Sequence, residues 1–160
     1  MRRLTYDEFL NYALSLDRPL FLENENNISL LEKLCSIADK KEIHYLWSNY
    51  KSPKFISQKK LSCRQNEYHN AIKEIFTEDK YLIAIDSYCF DDNDKHVILQ
   101  LSRNDLTDIL THFYWELDEV YIFNDDLDWF IAINHHFDMI FYCCENSKWL
   151  NYYSDKIKLQ

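Results

Sequence analysis

The stretch Glu116–Cys144, which reads ELDEVYIFNDDLDWFIAINHHFDMIFYCC, decides the predicted fold. It contains three apolar runs separated by two short polar segments, Asn124–Asp128 and His135–Asp138. Short connections of turn-forming residues between apolar runs predict antiparallel strands that follow one another as a meander. Because these runs are apolar on both faces, we expect the meander to lie centrally, with helices on at least one side. The predicted strands are Val120–Phe123, Trp129–Asn134 and Met139–Cys144.

This stretch belongs to a longer segment that carries no lysine or arginine. Between Arg103 and Lys148 there is no such residue, while ten of the chain's 27 carboxylates lie there. Residues 1–103 contain 16 acids and 15 bases, so the net charge of −9 arises almost entirely from this segment. Ten acids without nearby bases repel one another unless a positive partner offsets them. We therefore expect an acidic face that binds a basic protein, and no nucleic-acid binding, which requires a basic face.

Capping residues and apolar spacing predict the other elements of the chain. A serine, threonine or asparagine followed by apolar residues three or four positions apart indicates the start of an amphipathic helix. Such helices are predicted after Thr5, Asn27 (covering Ile28–Lys40), Ser62 and Ser102, and a last short one at Ser147–Tyr153. Further strands are predicted at Leu20–Leu22, Ile43–Trp47, Tyr81–Phe90 and Val97–Leu101, with a hairpin turn at Asp91–Asp94.

The fold class follows from the order of these elements. The lysine-rich segment Lys51–Leu61 contains Pro53 and no apolar alternation, so it is predicted to be a solvated loop. Strands and helices do not alternate strictly, which favours an α+β protein over a doubly wound parallel sheet. We predict a single α+β domain over residues 1–160, an antiparallel sheet of five to six strands with a C-terminal meander and about four helices packed on it.

Composition excludes several classes of site. Glycine is absent, and the dinucleotide fingerprint, the P-loop, the EF-hand and the nucleophile elbow all need it. The five cysteines form no CxxC pair, which indicates free thiols in a reducing cytosol. No apolar run resembles a signal peptide or reaches the length of a membrane span. We therefore expect a cytoplasmic protein that binds no cofactor and does not act on a membrane.

The candidate binding residues are the acids of the meander with one aromatic side chain. Carboxylates on a rigid sheet accelerate the approach of a basic partner, and an aromatic residue supplies the desolvated contact. Trp129 is the candidate for that contact, although a place in the core explains it equally well. The predicted partner-binding residues are Asp118, Glu119, Asp125, Asp126, Asp128, Trp129 and Asp138.

A catalytic alternative uses some of the same residues. Asp126 and Asp128 stand two positions apart, and their oxygens are suitable ligands for a divalent metal. With His135 or His136 they would form the site of a metal-dependent hydrolase. Turn formation explains these aspartates more simply, and no lysine in the segment is available to stabilise developing charge. We therefore expect no catalytic residues and no bound metal.

The segment Glu119–His135, EVYIFNDDLDWFIAINH, resembles the strand, acidic turn and tryptophan strand of small bacterial immunity proteins. These proteins accompany polymorphic and contact-dependent growth-inhibition toxins, and the resemblance covers residues 115–144. It implies a cytoplasmic, non-catalytic antitoxin that binds one cognate toxin domain, commonly a basic nuclease, and occludes its active site. The acidic face also fits a third class, an accessory or phage protein that binds host machinery.

Overall fold

One antiparallel sheet dominates the described part of the computed structural model, which covers residues 4–16, 19–21, 29–30, 32–33, 57–62, 78–91, 96–124, 129–134 and 138–143. The strand order across the sheet is β1-β4-β3-β5-β6-β7-β2, and every neighbouring pair is antiparallel. The strands are β1 (Leu20–Phe21), β2 (Ser57–Ser62), β3 (Lys80–Ile85), β4 (Val97–Ser102), β5 (Val120–Phe123), β6 (Trp129–Ile133) and β7 (Asp138–Cys143); the helices with defined ends are α1 (Tyr6–Leu14) and α2 (Arg103–His112).

The middle of the sheet is buried on both faces. All residues of β5 and β6 are buried, and so is every residue of β3 except Lys80. Ile83 lies opposite Ile122, which in turn lies opposite Ile131. These three residues belong to one core cluster with side chains from α1 and α2. The continuous apolar runs of the sequence therefore mark strands that have no solvent-facing side.

Helix α2 connects two strands that run in the same direction. Strands β4 and β5 both pair antiparallel with β3, so they are parallel to each other with β3 between them. Parallel strands need a crossover connection, and α2 supplies it across one face of the sheet. The buried residues of α2 include Leu106, Ile109 and Leu110. Those of α1 are Phe9 and Ala13. The helix-bearing face is thus the main core of the described protein.

Both helices begin at the capping residues that the sequence predicts. Thr5 Oγ1 accepts a hydrogen bond from the Glu8 amide at 3.2 Å. Ser102 Oγ accepts one from the Asp105 amide at 3.2 Å. Each bond satisfies one of the backbone donors that a helix leaves without a partner in its first turn. The predicted starts of α1 and α2 are confirmed.

The predicted fold is wrong in its element counts. Five to six strands and about four helices were expected, whereas the sheet has seven strands and two helices have both ends within the described residues. Helical backbone at residues 29–30 and 32–33 falls inside the predicted helix Ile28–Lys40. Four other predictions concern residues outside the described part, namely the strand Ile43–Trp47, the helix after Ser62, the helix Ser147–Tyr153 and most of the turn Asp91–Asp94.

Strand β2 replaces part of the predicted solvated loop Lys51–Leu61. Its six residues pair in register with β7, from Ser57 opposite Cys143 to Ser62 opposite Asp138. The sequence of β2, SQKKLS, has no strand-like apolar alternation, so the strand depends on hydrogen bonding to a neighbour that is distant in sequence. Lysines are common on edge strands because their charge discourages further pairing. The loop prediction is therefore wrong over 57–61, and Lys59 and Lys60 lie on the strand beside β7.

Candidate functional site

Trp129 lies in the core. Its side chain is 0% exposed, and its ring meets that of Tyr81 edge to face, with centroids 6.2 Å apart. Position 129 faces the helix-bearing side of the sheet, in the same cluster as Ile131 and Ile133. Of the two environments that the sequence leaves open, the structure therefore shows the buried one. Trp129 is not available as a surface contact.

Glu119 is also removed from the predicted binding face. Its side chain is only 2% exposed, immediately before β5. Its backbone carbonyl accepts hydrogen bonds from the Asp86 amide at 3.0 Å and from Cys89 Sγ at 3.6 Å. A side chain that is enclosed by the protein cannot make a direct contact with a partner at its surface. The sequence places Glu119 on the surface because it follows other acids, but its environment is that of the end of a buried strand.

Asp118 is half-buried beside a cysteine that the sequence analysis did not single out. Cys89 Sγ donates to Asp118 Oδ1 at 3.7 Å. Burial, and next the nearby negative charges of Asp118 and Asp86, raise the pKa of the Cys89 thiol far above its ordinary value. The thiol is therefore neutral at physiological pH. A neutral buried thiol is a poor nucleophile, so Cys89 has a structural role here.

The remaining predicted acids belong to connections at opposite ends of the meander. Residues 125–128, which contain Asp125, Asp126 and Asp128, join the end of β5 to the start of β6 and lie outside the described residues. Asp138 begins β7, opposite Ser62, and only its backbone is described. Asp118 and Asp138 flank the start of β5 and the start of β7, which are at the same end of the sheet. The acids predicted to form one continuous face are thus divided between two ends.

The same division applies to the residues of the metal-dependent alternative. Asp126 and Asp128 precede β6, whereas His135 and His136 follow it, and all four lie outside the described residues. Four residue steps at about 3.4 Å place the ends of β6 about 14 Å apart. A site built from both pairs requires the two connections to approach each other over that length. Among the described residues no group of three or more His, Cys, Asp or Glu side chains is arranged to hold a metal ion.

A polar cluster at the end of β3 resembles a catalytic triad only in composition. Asp86 is 2% exposed, and its Oδ1 lies 3.7 Å from His96 Nδ1. The backbone amide of Ser87, rather than its hydroxyl, donates to His96 Nδ1 at 3.1 Å. The Ser87 hydroxyl lies 3.5 Å from Asp86 Oδ1. A triad needs the serine hydroxyl at one imidazole nitrogen and the carboxylate at the other, and this cluster does not have that arrangement. Its contacts instead connect the end of β3 to the start of β4.

The turn that follows α2 carries an exposed aromatic residue, Trp115, that the sequence does not single out. Asn104, Asp108, Thr111 and Trp115 are exposed and follow one another at intervals of four, three and four. These intervals align Asn104, Asp108 and Thr111 on the outer face of α2, and Trp115 follows in the turn after the helix ends at His112. Trp115 is 49% exposed. The apolar spacing of α2 does not assign position 115, because the helix ends at His112 and the backbone of Phe113 is no longer helical.

A stacked pair of rings joins this face of α2 to α1. The rings of Tyr12 and His112 are 3.9 Å apart and nearly parallel, at an interplanar angle of 10°. Tyr12 also meets Phe113 edge to face at 5.2 Å. Partial burial, and then the charges of Asp108 and Asp105, raise the pKa of the Tyr12 hydroxyl. The negative charges of two acids of α2 therefore act on the contact between the two helices. We define the α2 surface as Asp108 and His112 of α2 together with Trp115 and Glu116 of the turn that follows the helix.

Comparison with known proteins identifies a family but no activity. The chain belongs to a family of unknown function, DUF6756, whose model matches residues 18–152. No curated protein and no solved structure matches the chain. Nothing in the family match refers to immunity proteins or toxins, so the resemblance of residues 115–144 stays a prediction. In the described part of the chain no helix is long and apolar enough to cross a membrane.

Proposed function

We propose that this member of the DUF6756 family is a non-catalytic immunity protein that binds and neutralises a cognate bacterial toxin in the cytoplasm. The observation that carries the proposal is the distribution of charge. Residues 104–147 hold ten carboxylates and no lysine or arginine, and they supply α2 and the strands β5–β7. An acidic region on a rigid framework is suited to fast capture of a basic protein. The toxin is expected to be basic and of the nuclease type.

Neutralisation is expected to be stoichiometric. An acidic surface that occupies the groove where a nuclease holds phosphate prevents substrate from entering, and no bond has to be made or broken. Fast association is important for such a protein, because free toxin molecules damage the cell until they are captured. The proposal assigns no cofactor and no metal to the protein.

The metal-dependent hydrolase is the alternative from another class, and metal analysis of the purified protein separates it from the proposal. The aspartates and histidines of that alternative come from connections at opposite ends of β6. The acidic accessory or phage protein that binds host machinery uses the same charge and differs only in its partner. Identification of the partner therefore separates the first proposal from the third.

Co-expression with the product of the immediately upstream gene tests the proposal. We expect the two proteins to purify as a complex of fixed stoichiometry, and we expect cells that express the upstream product to grow only when this chain is also present. A variant with charge reversal at Asp125, Asp126 and Asp128 measures how much of the capture depends on the meander. Absence of a complex, or protection by far less than one chain per toxin, contradicts stoichiometric occlusion.

A further inference from the structure

The exposed Trp115 lies in an ordered turn directly after α2. Its neighbour Tyr114 is buried and meets the Trp115 ring edge to face, with centroids 4.9 Å apart. The amides of Glu116 and Leu117 both donate to the Phe113 carbonyl, at 3.1 and 2.9 Å, which fixes the turn that carries Trp115. A side chain whose support is already ordered loses less conformational entropy when it binds. Trp115 is therefore a pre-organised contact rather than the tip of a mobile loop.

Exposure of this residue is unusual within the described protein. Trp115 and Leu14 are the exposed large apolar residues of the described part, while the large side chains of Trp129, Tyr121 and Phe123 are fully buried. Leu14 follows Asp7 and Asn11 on the outer face of α1, at helical intervals of four and three. Tryptophan is enriched among residues that dominate binding energy, whereas isolated exposed leucines are ordinary.

The charge around Trp115 indicates the chemistry of its partner. Asp108 is exposed on α2 seven residues before Trp115, and half-buried Glu116 follows Trp115 directly. Neither α2 after Arg103 nor the strands β5–β7 contain a lysine or arginine. Two bases lie at the N-terminal end of α2, where Arg103 begins the helix and Lys80 lies opposite Ser102. From the residue after Arg103, through Trp115 and up to Lys148, the sequence contains no further lysine or arginine.

We infer that the α2 surface docks a basic segment of the partner protein, with Trp115 as the central apolar contact and Asp108 and Glu116 as the acidic border. This inference rests on the proposed function and assigns to it a binding face different from the meander turns. The half-exposed ring of Trp115 itself offers an aromatic face on which an arginine guanidinium can lie. Arginine suits such a surface because it stacks on rings and pairs with carboxylates at the same time.

Binding of full-length variants to the product of the immediately upstream gene tests the inference. Trp115→Ala is expected to weaken binding by at least about 30-fold, as for a dominant interface residue. Leu14→Ala is the matched control, because it also shortens an exposed apolar side chain on a helix, and its affinity is expected to stay within about twofold of the wild type. Asp108→Asn combined with Glu116→Gln is expected to slow association more than it accelerates dissociation.

The possible outcomes separate the inference from the proposed function. If the wild type binds the upstream product and Trp115→Ala binds equally well, the α2 surface is not the contact and the proposed function stands. If the wild type does not bind at any ionic strength, both are overturned before any variant is compared. Thermal unfolding of each variant establishes that it is folded. Trp115→Phe, which keeps an aromatic ring, is expected to recover most of the affinity lost in Trp115→Ala.

Discussion

Two tryptophans show how residues of one type are divided between core and surface. Trp129 lies on the helix-bearing face of β6 and packs against Tyr81. Trp115 lies three residues beyond the end of α2 and is 49% exposed. The acidic turn before Trp129 suggests a surface position, but the direction of the side chain is decided by alternation within β6. The residue that the sequence favours as a contact is therefore the one that stabilises the fold.

Substitution of the two tryptophans is expected to separate stability from binding. Trp129→Ala removes a fully buried ring, and such truncations reduce the free energy of unfolding by about 3–5 kcal/mol. Trp115→Ala is expected to change it by less than about 1 kcal/mol, since the side chain is partly in solvent. Urea denaturation measures both values. A Trp129→Ala protein of unchanged stability would contradict the burial of this side chain.

Cys89 is expected to show the behaviour of a thiol that is neutral in the folded state. Its pKa is raised by burial and by Asp118 and Asp86, from a starting value of 9.0. The folded state holds the Cys89 proton more tightly than the unfolded state does. The contribution of this proton to the free energy of unfolding is therefore complete below pH 9.0 and declines above it. Wild type should therefore lose stability relative to Cys89→Ala as the pH rises above this value. A constant difference between the two proteins from pH 7 to 11 would refute the shift.

Alkylation gives a second measure of the same thiol. Iodoacetamide reacts with the thiolate, so Cys89 should remain unmodified in the folded protein at pH 8 and react fully in urea. Mass spectrometry of the peptide that contains Cys89 distinguishes it from the other four cysteines. Rapid modification in the native protein would show that the thiol is neither buried nor neutral.

At the scale of secondary-structure elements, local signals were sufficient where an element is defined by its own residues. The caps at Thr5 and Ser102 act within four residues, and the sequence predicts both helix starts correctly. The strands β5, β6 and β7 each contain a continuous apolar run, and they lie where the sequence predicts them. Strand β2 has no such run. Its pairing with β7 joins residues far apart in sequence, and no local pattern reports that contact.

Removal of one cap is expected to have a small and specific cost. Ser102→Ala deletes the side-chain acceptor for the Asp105 amide, and loss of such a cap costs about 1 kcal/mol. Ser102→Asp keeps an acceptor and should retain most of the stability. Asn104→Ala is the control, because this residue is exposed in the same first turn. Equal stability of Ser102→Ala and wild type, measured by urea denaturation, would show that the cap does not contribute.

Hydrogen exchange tests whether β2 is a strand or the loop that its sequence suggests. The amides of Ser57–Ser62 that bond to β7 are expected to exchange slowly, because an ordered ladder must open before they meet solvent. As an edge strand, β2 should exchange faster than β3 and β5 in the middle of the sheet. Exchange of all β2 amides at the rate of an unstructured peptide would contradict the pairing.

At the scale of the whole molecule, strand direction explains why the predicted acidic face is divided. Each antiparallel strand runs in the direction opposite to the one before it, so consecutive turns of a meander lie at opposite ends of the strands. Charge counted along the sequence indicates the sign of the partner but cannot locate its contact. The exposure of Trp115 depends on the turn that follows α2, and the burial of Glu119 depends on its place beside Asp86 and Cys89.

The rate at which this chain associates with the upstream gene product, measured against ionic strength, tests the central claim most directly. Salt at about 0.5 M screens charges beyond a few Å, whereas at about 0.02 M they act over roughly 20 Å. We predict that the association rate constant falls at least tenfold between these conditions while the dissociation rate changes little. An association rate that does not depend on salt, or the absence of a complex at low salt, would contradict electrostatic capture of a basic toxin.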